Sequence, residues 1–316
     1  MLCRASFAIG LAAVSITANW ALAQQSAGFP PGQAAAEMGQ PRPYHQRSGR
    51  KIILAWGDCR NTGPGGLQHD SVSHAMATIE RLGYESGAYD TYIRTDSNVI
   101  SKHPLDTKGK PIELHSLSLD QVDAIFFIGL REIDLTDDQK KDLMAFIKED
   151  GKGIVAAHAA DTAFMDGQMG SQYKGWPEWG EMMGGVFDLH PWYIIEAPVI
   201  VEDPNFPAVK HLPEKFPLED EFYQTKGFSR ETSDVVLRLD TSKLPVTSMV
   251  HRTDGDFPLA WAKNYGKGRV FYCALGHDAK TWDNPDVYWI YFEALKWALR
   301  ETDAKITPHP YPGAVR

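Results

Sequence analysis

Three stretches of the chain are almost unbrokenly apolar: Lys51 to Gly57, Asp123 to Gly129 and Gly153 to Ala157. A strand without polar alternation is buried on both faces, as in a parallel sheet covered by helices. Between them lie runs of helical period. One opens after Gln68-His69-Asp70-Ser71 and runs to about Leu82, with Asp70 or Ser71 placed to cap it. Another begins at Thr136-Asp-Asp-Gln as a capping box and runs to Asp150, with Leu143, Phe146 and Ile147 on one face. Tyr84 to Tyr92 reads as a further strand, and Ser97 to Leu119 as a polar loop with surface histidines His103 and His115. Strand–helix alternation of this kind predicts a doubly wound α/β fold with a mainly parallel sheet.

After the third apolar run the pattern changes. Trp176 to Gly185 predicts a short helix broken at Gly184-Gly185, and Tyr193 to Glu202 and Asp234 to Asp240 predict strands. Pro258 to His277 reads as a C-terminal β-hairpin turning at Gly266-Lys267-Gly268. A helix from Pro285 to Arg300 and a Pro-rich tail close the chain.

The amino terminus carries its own pattern. Arg4, an apolar run from Phe7 and an Ala21-Leu22-Ala23 site predict a secretory signal over residues 1–23, too weakly flanked for a membrane anchor. Residues 24–48, rich in Gln, Gly, Pro and Ala, read as a flexible leader. A single domain is expected over 49–303, followed by the tail at 304–316, and the predicted location is periplasmic or secreted. The net charge of −9, without a basic cluster, argues against nucleic acid and anionic membrane as partners. Cys59 and Cys273 remain after cleavage, and export permits a disulfide, but isolated strand cysteines are more often small buried apolar residues.

Candidate chemistry collects at predicted strand ends. His158 ends the Gly153–Ala157 strand, His277 ends the last strand, and His69 lies between the first strand and its helix. Ligands in open α/β sheets bind outside the carboxyl ends of the strands. His190 arrives on the Gly-rich excursion near Glu181 and Trp192, while Asp161 follows His158. Glu219, Asp220 and Glu221 sit beside Phe222 and Tyr223. Several imidazoles and carboxylates on one rim suit a divalent metal or general acid/base work, although no pair has the tight spacing of a known zinc motif. The expected roles are catalysis by His158, Glu221 and Asp161, substrate binding by His69, Asp70, Glu181, Trp192 and Tyr223, and metal ligation by His69, His158, His190 and His277. No cofactor is certain; a divalent metal such as zinc is the candidate. Trp179, Trp192, Phe222 and Tyr223 are the aromatics that could stack on a sugar, with core packing as the alternative.

Four segments, Gln68–Ser71, Gly153–Thr162, Trp179–Pro191 and Pro258–His277, resemble the ThuA-like family, named for trehalose utilisation, and Asp220–Tyr223 is a weaker fifth match. The resemblance implies a flavodoxin-like fold similar to class I glutamine amidotransferases, with helices on both faces of the sheet. It also implies a role near carbohydrate metabolism and a small-molecule carbohydrate partner. The amidotransferase turn that would carry a cysteine nucleophile holds His158 between Ala157 and Ala159, so thioester chemistry is not expected. The functional expectation is action on a sugar or keto-sugar derivative by hydrolysis or elimination. The alternative is a non-catalytic carbohydrate-binding or accessory protein.

Overall fold

A computed structural model describes residues 49–58, 69–103, 117–129, 133, 135–164 and 175–313. The apolar runs become β1 (Lys51–Trp56), β3 (Ala124–Phe127) and β4 (Gly153–Ala157), each buried over all or most of its length. With β2 (Tyr89–Arg94) on one flank and β11 (Gly268–Cys273) on the other, they pair in parallel in the order β2-β1-β3-β4-β11. The sheet then continues through antiparallel steps into β10 (Pro258–Tyr265), β9 (Asp234–Leu239), β6 (Ile194–Val201) and β7 (Lys215–Glu221). Each pair of antiparallel steps restores the direction. Thus β9 and β7 run with the parallel block, and β10 and β6 run against it. A separate two-stranded pair joins β5 (Val186–Leu189) to β8 (Gln224–Lys226).

Helices cover both faces, as two adjacent residues demonstrate. Neighbouring side chains on a strand point to opposite sides of the sheet. Phe126 meets Trp282 of α4 (Ala279–Asp283) and Tyr291 of α5 (Pro285–Ala298) at 5.7 and 5.9 Å. Phe127 meets Trp179 of α3 (Pro177–Met183) at 5.1 Å on the other side. The helix after β1, α1 (Ser71–Ser86), and the capping-box helix α2 (Asp137–Lys148) complete the set. Here the fold is the mainly parallel, flavodoxin-like sheet with flanking helices, and the expected hairpin supplies β10 and β11 to its middle.

Two local expectations differ from the structure. The strand read at Tyr84 to Tyr92 begins only at Tyr89, because α1 continues to Ser86 and stops at Gly87, whose left-handed φ of 69° lets the chain reverse. Asp70 occupies the N-cap position of α1 but has helical dihedrals and makes no capping side-chain bond. His103 is exposed as expected; His115 lies outside the described residues. Cys59 also lies outside them, so its pairing has no structural counterpart here, while Cys273 is a free, fully buried thiol in β11. The Pro-rich tail lies along the body: Thr307 N–H donates to Asp234 at 2.7 Å, and Tyr311 packs beneath the Arg230 and Arg238 guanidiniums. No helix among the described residues is long and apolar enough to cross a membrane.

One feature of the sheet creates the site. Three strands separate β7 from β11 in the order, which in a flat sheet would place them roughly 19 Å apart at 4.7–4.9 Å per step. Yet Asp220 near the end of β7 accepts the N–H groups of Gly276 (2.7 Å) and His277 (3.1 Å), just beyond β11. The antiparallel half therefore curls back over the carboxyl ends of the parallel strands. Register shifts between β10 and β9 are the kind of irregularity that increases bend and twist.

Candidate metal centre

His158 is the first residue after β4 and opens a short 3-10 turn, His158–Thr162. Its φ of 48° is left-handed, a conformation costing a non-glycine residue roughly 1–2 kcal/mol, so its surroundings must hold it there. They do so at two points. The Tyr272 hydroxyl donates to the His158 carbonyl at 2.8 Å, and the Ala274 carbonyl lies 2.7 Å from Nδ1. Because a carbonyl only accepts, Nδ1 carries the proton, and in the neutral ring Nε2 presents its lone pair. The Tyr223 hydroxyl, buried and with its pKa pushed well up by desolvation, donates to Nε2 at 2.7 Å.

His277 enters from the end of β11. Gly276 before it has φ 113°, a value that side-chain-bearing residues rarely adopt, and that is what lets the chain turn so that both N–H groups face Asp220. Asp220 also accepts the N–H of Glu221 at 2.9 Å. One buried carboxylate thereby fixes both His277 and Glu221. Burial pushes its pKa up, against the opposing pull of His158 and of the three amides.

Glu221 sets Oε2 3.1 Å from His277 Nδ1 and 3.6 Å from His158 Nε2. Burial disfavours its charge, but the His158 and His277 imidazoles outweigh this and hold the carboxyl well below its usual range. His277 is affected in the reverse sense: burial lowers its pKa, and the Glu221 carboxylate more than restores it. His69 stands edge-on to both rings, 4.7 Å from His158 and 4.7 Å from His277. Burial, with the two neighbouring imidazoles, lowers its pKa to about 3, which leaves it neutral.

His69, His158, His277 and Glu221 each offer a donor atom within 4.8 Å of the other three. Donors about 2.0–2.1 Å from a tetrahedral zinc ion stand roughly 3.3–3.4 Å from each other. The separations of His158 Nε2 from His277 Nδ1, of His158 Nε2 from Glu221 Oε2 and of His277 Nδ1 from Glu221 Oε2 are 3.2, 3.6 and 3.1 Å. Three neutral-capable imidazoles and one carboxylate at that spacing fit a divalent cation of the zinc type.

The donor set differs from the expected one by a single exchange. His190 stands outside it, with Nδ1 3.6 Å from the other oxygen of Glu221, and Glu221, expected as an acid/base group, takes the fourth corner. Tyr223 reaches the site through His158. Asp161 is fully buried at the turn after His158 with neither oxygen hydrogen-bonded among the described residues, and burial pushes its pKa well up. It is no member of the donor set. Three expected substrate contacts do not converge. Asp70 is exposed at the head of α1, and Glu181 is exposed on α3. Trp192 gives its indole N–H to the Pro245 carbonyl and packs on Phe257. Trp179, Phe222 and Tyr223 are buried, so no sugar can lie on them without displacing core. Two residues with no predicted role stand out: Asp220, which positions two of the donors, and Tyr193, exposed beside His190 at a ring distance of 4.9 Å. Pro191 just before a predicted strand is a turn signal that could have drawn attention to Tyr193.

Among solved structures, two ThuA-like proteins share this fold. One from Bacteroides uniformis superposes with a TM-score of 0.60 at 21% identity, covering 82% of this chain and 95% of that one. Another from Parabacteroides merdae gives 0.56 at 18% identity, covering 84% and 93%. These likenesses establish the fold alone. No curated protein matches in sequence. The model of the ThuA family, described as trehalose utilisation, matches residues 61–298, and by that match over most of its length the chain belongs to the ThuA family.

Proposed function

We propose that this protein is a divalent-metal-dependent, carbohydrate-active hydrolase or lyase that works outside the cytoplasm. The observation that carries the reading is the convergence of the four donors within 4.8 Å at the carboxyl edge of the sheet, with His158, His277 and Glu221 set 3.1–3.6 Å apart, close to the edge of a zinc tetrahedron. The substrate class rests on the family's description as trehalose utilisation. Export rests on the signal pattern over residues 1–23 and predicts Gln24 as the first residue of the exported protein by mass spectrometry.

A bound cation of this type supplies Lewis acidity toward a substrate oxygen. The chain's own groups arrange everything else. The bond from His158 Nδ1 to Ala274 fixes which ring nitrogen faces the centre. Glu221 contributes one negative charge, and Asp220 holds its backbone in place. With the one lone pair of His158 Nε2 given over to a cation, the Tyr223 hydroxyl, which stays protonated, would lose that acceptor and could donate to a substrate oxygen instead. His190, on the far oxygen of Glu221, is placed to take or return a proton at the rim.

The test is metal analysis of the purified protein, joined to an assay of trehalose and of a keto-disaccharide by NMR, with and without a chelator. Stoichiometric metal, with turnover lost on chelation and restored by zinc, is the expected result. Absence of metal, with turnover indifferent to the chelator, would defeat the metal reading. Sugar binding without turnover of any glycoside would instead identify a non-catalytic carbohydrate-binding protein.

A further inference from the structure

Sugar-handling sites usually offer an aromatic face, since the C–H groups on one side of a pyranose ring form an apolar surface. The face must be accessible. Of the aromatics near the donor cluster, Trp179, Phe222 and Tyr223 are buried in the core, and Trp192 is committed to Pro245 and Phe257. Tyr193 is different: it is 58% exposed.

Its position is built rather than incidental. His190 to Tyr193 form a turn closed by the Tyr193 N–H on the His190 carbonyl at 3.1 Å, with Pro191 at the second position, where its fixed φ suits a turn. Trp192 is tied back by its indole N–H on the Pro245 carbonyl and by its packing on Phe257, which anchors the turn next to Tyr193. Tyr193 itself has φ 54°. A bulky residue in the left-handed region is an outlier, and such strain concentrates at ligand sites. The next residue, Ile194, begins β6 in register with Glu221, and it too is exposed at 45%. The platform is therefore coupled to the centre twice: through that register, and through the His190 ring, which lies 4.9 Å from Tyr193 and turns Nδ1 to Glu221 at 3.6 Å. The His190 ring thus lies against both Tyr193 and Glu221, one of the four donors.

We propose that the exposed ring of Tyr193 is the platform on which a pyranose ring stacks, so that an adjoining sugar oxygen is presented to the four-donor centre. This deepens the carbohydrate reading of the same site and rests on it. The ligand class is a glycoside with one continuous apolar C–H face and at least one unit beyond the stacked ring. A free metal-chelating anion would have no use for the platform.

The experiment is binding of trehalose to zinc-loaded full-length protein, followed by saturation-transfer NMR and titration, for wild type, Tyr193→Phe, Tyr193→Ala and Tyr193→Gly. Zinc content and thermal midpoint are measured on each. In wild type the saturation should concentrate on the C–H protons of one ring face. Tyr193→Phe should bind within about threefold of wild type, since the face is kept, and Tyr193→Ala and Tyr193→Gly should lose at least tenfold, the scale of one aromatic stack. Tyr193→Gly removes the left-handed strain, so its midpoint should equal or exceed that of wild type. Weaker binding in that variant thus cannot come from unfolding. Zinc content should be unchanged throughout. Equal trehalose affinity in Tyr193→Gly and wild type overturns the platform. So does a wild-type protein that loads zinc yet binds neither trehalose nor a keto-disaccharide. Failure to load zinc with a persistent Tyr193 effect overturns the metal reading and leaves the platform standing.

Discussion

Removal of His277 gives the cleanest test of the donor cluster. It is half-buried, whereas His158 is fully buried and holds a strained turn, so His277→Ala should cost little in packing. Four-ligand zinc sites in small peptides bind with about 10–16 kcal/mol, so one ligand is worth roughly 3 kcal/mol, on the order of 100-fold in Kd. At a zinc concentration about a hundred times the wild-type Kd, the folded wild type gains about 2.7 kcal/mol. Under the same conditions the variant sits near its own Kd and gains only about 0.4 kcal/mol. At about 2–4 °C per kcal/mol for a domain near this size, zinc should raise the wild-type midpoint by roughly 5–11 °C and the variant midpoint by no more than about 2 °C. Thermal scans of chelator-stripped protein with added zinc read this directly. Equal zinc-induced shifts in the two proteins, or none in wild type, would refute the assignment of these donors.

Asp220→Ala should lower zinc affinity by about 10–100-fold while every ligand remains, because the amides of Gly276, His277 and Glu221 lose their common acceptor; isothermal titration would show it. Gly184→Ala should destabilise the fold by roughly 2 kcal/mol or more in urea unfolding, because Gly184 has φ 90° and a Cβ there would come within 2.8 Å of the buried Trp261 indole nitrogen. A midpoint within error of wild type would contradict that packing. The Cys273 thiol is fully buried, and burial pushes its pKa up to about 12. A raised acid pKa leaves the thiol neutral below it, so in a Cys59→Ser background Cys273 should resist alkylation at pH 8 until denaturant is added, and prompt native labelling would oppose the claim.

The parallel half of the sheet was legible because its physics is local. Ile154-Val155-Ala156-Ala157 has no polar alternation, so only a doubly covered strand suits it, and whatever follows must emerge at the carboxyl edge. That places His158, and the same logic places His277 after β11 and His69 after β1. The end of α1 was not legible, since Tyr84 to Tyr92 carries both periods and the stop at Gly87 depends on its left-handed φ. Which group completes the donor set was also beyond the sequence. His190 and Glu221 lie on segments far apart in the chain, and choosing between them requires the curl that carries the end of β7 over β11. Trp179 and Tyr193 make the same point for the aromatics, for residue type does not reveal which ring is spent on the core and which is left open. Hydrophobic periodicity is set by each strand's own neighbours along the chain. Convergence of His69, His158, Glu221 and His277 is set by strand order and sheet curvature, which are properties of contacts between residues distant in sequence.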